Sequence, residues 1–129
     1  MTTILLAEDD IDDQELLTEA FKEIDPSIKL IAFSNGKKFL SYLNELPDNN
    51  IPAMIILDYN IPEINGAEIL KLLEEDSRYQ SIIKLVWSTS NSPLYENSCM
   101  ALGAKAYLVK PSNISGLHEL AKKMLGFVN

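Results

Sequence analysis

The stretch ILLAEDDIDDQ places five carboxylates within six positions, Glu8, Asp9, Asp10, Asp12 and Asp13, directly behind an apolar run. Like charges packed this closely repel, so a cation, a helix terminus or solvent must compensate. Three further apolar runs end on residues able to do chemistry: Asp58 after AMIIL, Ser88 and Thr89 after IIKLVW, and Lys110 after AYLV. Carboxylate oxygens form a hard site suited to Mg²⁺, which takes one or two of them and keeps several waters. With a cation neutralising the acids, a lysine and a hydroxyl beside them are the parts that hold a phosphoryl group. An aspartate in that setting is a nucleophile for phosphoryl transfer, giving an acyl phosphate. Asp58 is the best candidate, standing alone at its strand end before the turn NIPEING.

These residues converge only if the runs are strands of one sheet. Strand-length apolar runs lie at Ile4–Ala7, Ile28–Phe33, Ala53–Leu57, Ile82–Trp87 and Ala106–Val109. The first, third and fifth are nearly continuous in apolar character, the signature of strands covered on both faces. Segments of helical spacing lie between them. Leu17, Ala20, Phe21 and Ile24 form one stripe, with Asp13, Glu15, Glu19 and Lys22 read as off it. Leu94, Tyr95, Met100 and Leu102 of the fourth helix read mostly as core, one or two of them lining a partner surface. Asn91-Ser92-Pro93 marks the start of that helix. The alternation is (βα)5, an α/β doubly wound parallel sheet with helices on both faces and right-handed crossovers. Ligands of such a sheet bind outside the carboxyl ends of its strands. That edge receives Glu8 and Asp9, then Asp58, then Ser88 and Thr89, then Lys110.

A length of 129 residues, 47% of them apolar and 23% charged, fits one globular domain, expected to span 1–129 with no output domain. The net charge of −8 argues against nucleic acid and suits divalent cations or basic protein partners. No apolar run is long enough for a membrane span, and the N-terminus lacks the features of a signal peptide. Cys99 is the only cysteine, which excludes an intrachain disulfide and points to a cytoplasmic protein.

The segments LLAEDD, LDYNIPEINGAEIL, VWSTS and GAKAYLVKP resemble, in order, the motifs of the response-regulator receiver domain of two-component signalling. The resemblance covers essentially the whole chain and implies the strand order 2-1-3-4-5 of the single-domain chemotaxis type. It implies that Asp58 is the phosphoacceptor. Asp9 would be a direct Mg²⁺ ligand, Mn²⁺ being a possible substitute, and Glu8 its acidic companion acting through water. Asn60 would offer its backbone carbonyl to the metal. Lys110 would pair with the phosphoryl oxygens and brace Asp58, Ser88 would be the switch hydroxyl, and Tyr107 the switch aromatic. Lys110-Pro111 would be a cis peptide, Gly66 would end the turn after the acceptor, and Gly103 would end the fourth helix.

The implied activity is a switch rather than an enzyme. Asp58 would take a phosphoryl group from a sensor histidine kinase, and the helix 4, strand 5 and helix 5 face would signal to a downstream protein. Relay onward to a histidine phosphotransfer domain is the alternative, and the protein would be a monomer or a weak phosphorylation-dependent dimer. Asp10, Asp12 and Asp13 read as helix-start and solvent residues. A phosphohydrolase with an aspartyl nucleophile would need a second acid two residues after Asp58, where Asn60 stands. A flavin module would need Ser, Thr and Gly in the first loop, which is instead acidic. Trp87 stands where smaller aliphatic residues are usual in the family, and Ser88 where Thr is commoner.

Overall fold

A computed structural model of the chain describes residues 2–128. Five strands alternate with five helices: β1 Thr2–Ala7, α1 Ile11–Ile24, β2 Ile28–Phe33, α2 Gly36–Glu45, β3 Met54–Asp58, α3 Gly66–Glu74, β4 Ile83–Ser88, α4 Pro93–Ala101, β5 Ala106–Val109 and α5 Ile114–Gly126. A short 3₁₀ turn, Asp48–Asn50, precedes β3. All pairings are parallel and the strand order is 2-1-3-4-5, as expected.

Strand alternation divides the core between two faces. Ile4, Leu6, Met54, Ile56, Leu85 and Trp87 pack with α1 and α5. Leu5, Ala7, Ile55, Leu57 and Val86 face the other way, against α2, α3 and α4. Central β3 is buried along its whole length. The helices start on side-chain caps: Asp10, Asn35, Asn65, Ser92 and Asn113 each accept a backbone N–H from the first turn.

Strand pairing runs one residue further than the apolar runs at two places that matter. Asp58 pairs with Trp87 and Ser88 with Val109, so both polar residues are the last of their strands and are held by the ladder. Two expectations fail. Cys99 is the one residue of α4 that is fully buried, which turns Leu94 and Met100 outward at 73% and 43% exposure. No cis peptide bond occurs among the described residues, so Lys110-Pro111 is trans, the isomer an X–Pro bond favours by about 0.5–1 kcal/mol. Burial pushes the Cys99 thiol up to about 11, consistent with packing rather than redox chemistry.

Candidate phosphorylation site

Glu8 follows β1, and its backbone N–H donates to Phe33 O on β2 at 2.9 Å. Its side chain is fully buried, whereas Asp9 beside it is exposed. Carboxylate oxygens of Glu8, Asp9 and Asp58 lie within 4.8 Å of one another, the one such metal-competent group among the described residues. Two buried acids with an exposed third form a hard-oxygen site open to solvent on one side.

The carboxylate of Asp58, 6% exposed, has two differently bonded oxygens. Oδ1 accepts the Asn60 backbone N–H at 3.1 Å, and Oδ2 accepts from Lys110 Nζ at 3.2 Å. The turn after Asp58 folds back closely enough that Gly66 N–H donates to Tyr59 O at 3.0 Å. A Cβ on Gly66 would stand 2.6 Å from Asp58 O, so only glycine fits there. The expected place of Gly66 at the end of the turn after Asp58 is thus a steric requirement.

Lys110 is set beside these acids by its backbone, whose N–H donates to Ser88 O at 2.7 Å. Its ammonium pairs with Glu8 at 2.7 Å, Asp13 at 2.9 Å and Asp58 at 3.2 Å, and lies 4.8 Å from the centre of the Trp87 ring. Burial alone would lower its pKa. Hydrogen bonds to Glu8 and Asp13 and the charges of Glu8 and Asp58 outweigh that and hold it well above the ordinary lysine range. The Glu8 pKa is raised as well, which for a carboxylate favours the neutral form. Burial, then the hydrogen bond to Asp58, pushes it up to about 8, against the pull of Lys110 and the Asp10 N–H. Four acids around one lysine are more negative charge than the protein's own groups offset.

Ser88 is fully buried, and its Oγ accepts the Ser90 N–H at 3.1 Å. Half-buried Tyr107 donates its hydroxyl to Ser90 O at 2.8 Å. Ser90 therefore ties the hydroxyl at the strand end to the aromatic on β5. A second link runs from the loop after β3 to α4, where Tyr59 stacks on Tyr95 at 4.3 Å between ring centres.

The structure thus brings Glu8, Asp9, Asp58 and Lys110 together, with Ser88 and Tyr107 joined through the next loop. Asp10 caps α1 through the Asp13 N–H at 3.2 Å, as expected. Asp13 does not fit its expected place in solvent, since it is an ion-pair partner of Lys110. Helical spacing carried the signal. Asp13 is four residues before buried Leu17 and so shares the inward face of α1, where the sequence reading had set it aside. Ser90 and the Tyr59–Tyr95 stack had no sequence signal, because both depend on how loops meet.

Among proteins of known kind, the chemotaxis protein CheV2 of Helicobacter pylori is 31% identical over 122 residues, 95% of this chain. The chain spans only 38% of that relative's length. The phosphorylated cyanobacterial phytochrome response regulator RcpA superposes with a TM-score of 0.89 at 26% identity, covering 98% of this chain and 92% of that one. The Mn²⁺-bound form of the response regulator Rcp1 gives 0.88 at 26% identity, with 98% and 94% covered. No described helix is long and apolar enough to cross a membrane. A family model described as the response regulator receiver domain matches residues 4–122, nearly the whole length over which the strands and the acid–lysine site are laid out, and the chain belongs to that family.

Proposed function

We propose that this chain is a phosphorylation-dependent switch of two-component signalling, with Asp58 as the phosphoacceptor. The observation that carries the reading is the meeting of Glu8, Asp9 and Asp58 with Lys110 at the carboxyl edge of the sheet. Glu8, Asp9 and Asp58, with the backbone carbonyl of Asn60, would hold Mg²⁺ or Mn²⁺. A bound divalent ion would supply positive charge to the entering phosphoryl oxygens and offset the repulsion among the three gathered acids.

The chain's own residues do the rest. A carboxylate oxygen of Asp58 attacks the phosphorus of a histidine kinase's phosphohistidine. The P–N bond breaks, the P–O bond to Asp58 forms, and the imidazole leaves as the neutral ring, keeping the proton already carried on its other nitrogen. Lys110 bonds a phosphoryl oxygen, and Ser88 turns its hydroxyl from the Ser90 N–H toward the new group. Tyr107 then loses a fixed Ser90 carbonyl and shifts, changing the surface formed by α4, β5 and α5. Exposed Leu94, Met100 and Val109 give that surface the apolar area a downstream protein or a histidine phosphotransfer domain would cover. Slow hydrolysis of the aspartyl phosphate resets the switch, so no external substrate is turned over. A cytoplasmic location fits such a kinase partner.

Beryllofluoride with Mg²⁺, or a small phosphodonor with Mg²⁺, tests the reading by mass and by ¹⁹F NMR. The native protein is expected to respond and Asp58→Asn to be silent. A silent native protein, or an undiminished response in Asp58→Asn, refutes it.

A further inference from the structure

Asp13 belongs to the acidic cluster but not to the metal-competent group, and yet its Oδ2 lies 2.9 Å from Lys110 Nζ. The two residues are 97 positions apart, and the pair is largely shielded, with side-chain exposures of 30% for Asp13 and 10% for Lys110. The face of Trp87, 1% exposed, lies under the same ammonium. Lys110 therefore has two sets of partners. Glu8 and Asp58 belong to the reacting site. Asp13 and Trp87 stand outside it, lining a cleft of about 250 Å³ between α1 and the start of α5.

An ammonium has three hydrogens to donate, and three carboxylates already face it. A phosphoryl group on Asp58 brings roughly −1.5 to −2 charge and three more acceptor oxygens, so Lys110 must give up an existing partner to reach it. With a divalent ion bound, Glu8 would have a second cation to turn to. Among the described residues Asp13 has no other cation within ion-pair distance, so it keeps its hold on the lysine. We propose that Asp13, with the Trp87 ring, is a holding site for the Lys110 ammonium, and that Asp13 is a positioning residue that weakens the grip of the site on a phosphoryl group. The inference rests on the proposed function and adds a restraint on it from outside the metal group.

The test compares native protein, Asp13→Asn and Asp12→Asn. Asp12 is exposed on the same turn and loses the same charge, so it controls for the general field. Beryllofluoride binding at saturating Mg²⁺ is read by ¹⁹F NMR, and Mg²⁺ binding alone by Trp87 emission. Asp13→Asn is expected to bind beryllofluoride about three- to tenfold more tightly than either other protein, with its Mg²⁺ midpoint unchanged. Equal or weaker binding, or an equal gain in Asp12→Asn, overturns the inference. In metal-free protein, freeing the ammonium from the indole shifts the Trp87 emission in Asp13→Asn but not in Asp12→Asn. Identical metal-free spectra overturn the holding site by themselves. A native protein that binds no beryllofluoride refutes the proposed function, while the metal-free spectra still decide this inference.

Discussion

The chain shields two lysines from solvent at opposite ends of its sheet, Lys84 fully and Lys110 in large part, and their surroundings differ in kind. Lys84, near the start of β4, is 2% exposed and donates to the carbonyls of Tyr79 at 3.1 Å and Gln80 at 3.4 Å, with Glu74 at 3.5 Å. One cation meets one partly exposed carboxylate and two neutral acceptors, and the account closes. Lys110, beyond the end of β5, meets three carboxylates, with Asp9 close by. Charge there does not close. A balanced buried cation is structure, whereas an unbalanced one leaves a place for a further cation and a group to be held between them.

The contrast breaks most sharply on removing each ammonium. Lys110→Met is expected to slow phosphoryl acceptance from a small phosphodonor by roughly 10²-fold, since a preorganised charge is lost from the reacting site. Initial rates at saturating Mg²⁺ check this, and Lys84→Met should match the native rate.

Stability reverses the order. Lys84→Met removes a buried ammonium from the Tyr79 and Gln80 carbonyls and from the Glu74 carboxylate, and should cost about 1–3 kcal/mol in urea unfolding. Lys110→Met should cost less at neutral pH, because Glu8, already pushed up to about 8, can keep its proton and no longer needs a counter-charge.

A smaller effect lies in pH. The folded state holds the Glu8 proton more tightly than the unfolded chain, so this group's contribution is fully present below its ordinary value of 4.5 and is lost as pH rises through about 8. Thermal midpoints in metal-free buffer should therefore fall over that window in the native protein, and fall less in Glu8→Gln. An equal decline in both would assign the pH dependence elsewhere. The smallest change is expected for Glu74→Gln, whose carboxylate is 45% exposed, at under about 1 kcal/mol with no effect on phosphoryl acceptance.

Much of the site was legible because it stands where apolar runs stop. Asp58, Ser88 and Lys110 each end or follow a run that can only be a strand, and parallel strands present those ends at one edge. Leu94 and Met100 misled, since α4 is a short helix whose single fully buried residue, Cys99, sets its rotation. Asp13 was passed over as one acid among five, although its spacing to Leu17 placed it inward. Lys84, inside the apolar run 82–87, carries no local sign of where its ammonium goes.

What the sequence alone determined is the order of strands and helices and the residue at each strand's end, because periodicity and run length are properties of consecutive positions. Only the tertiary structure decided which acids share Lys110 and which hydroxyl faces which loop. Those partners come from positions 8, 13, 58 and 110, and their distances depend on how α1 packs against the sheet and how the loops after β1, β3 and β5 close. Coulomb energy depends on the distance between charges and on how far they are shielded from water, so balance or imbalance of charge is settled by that packing and by nothing local in the chain.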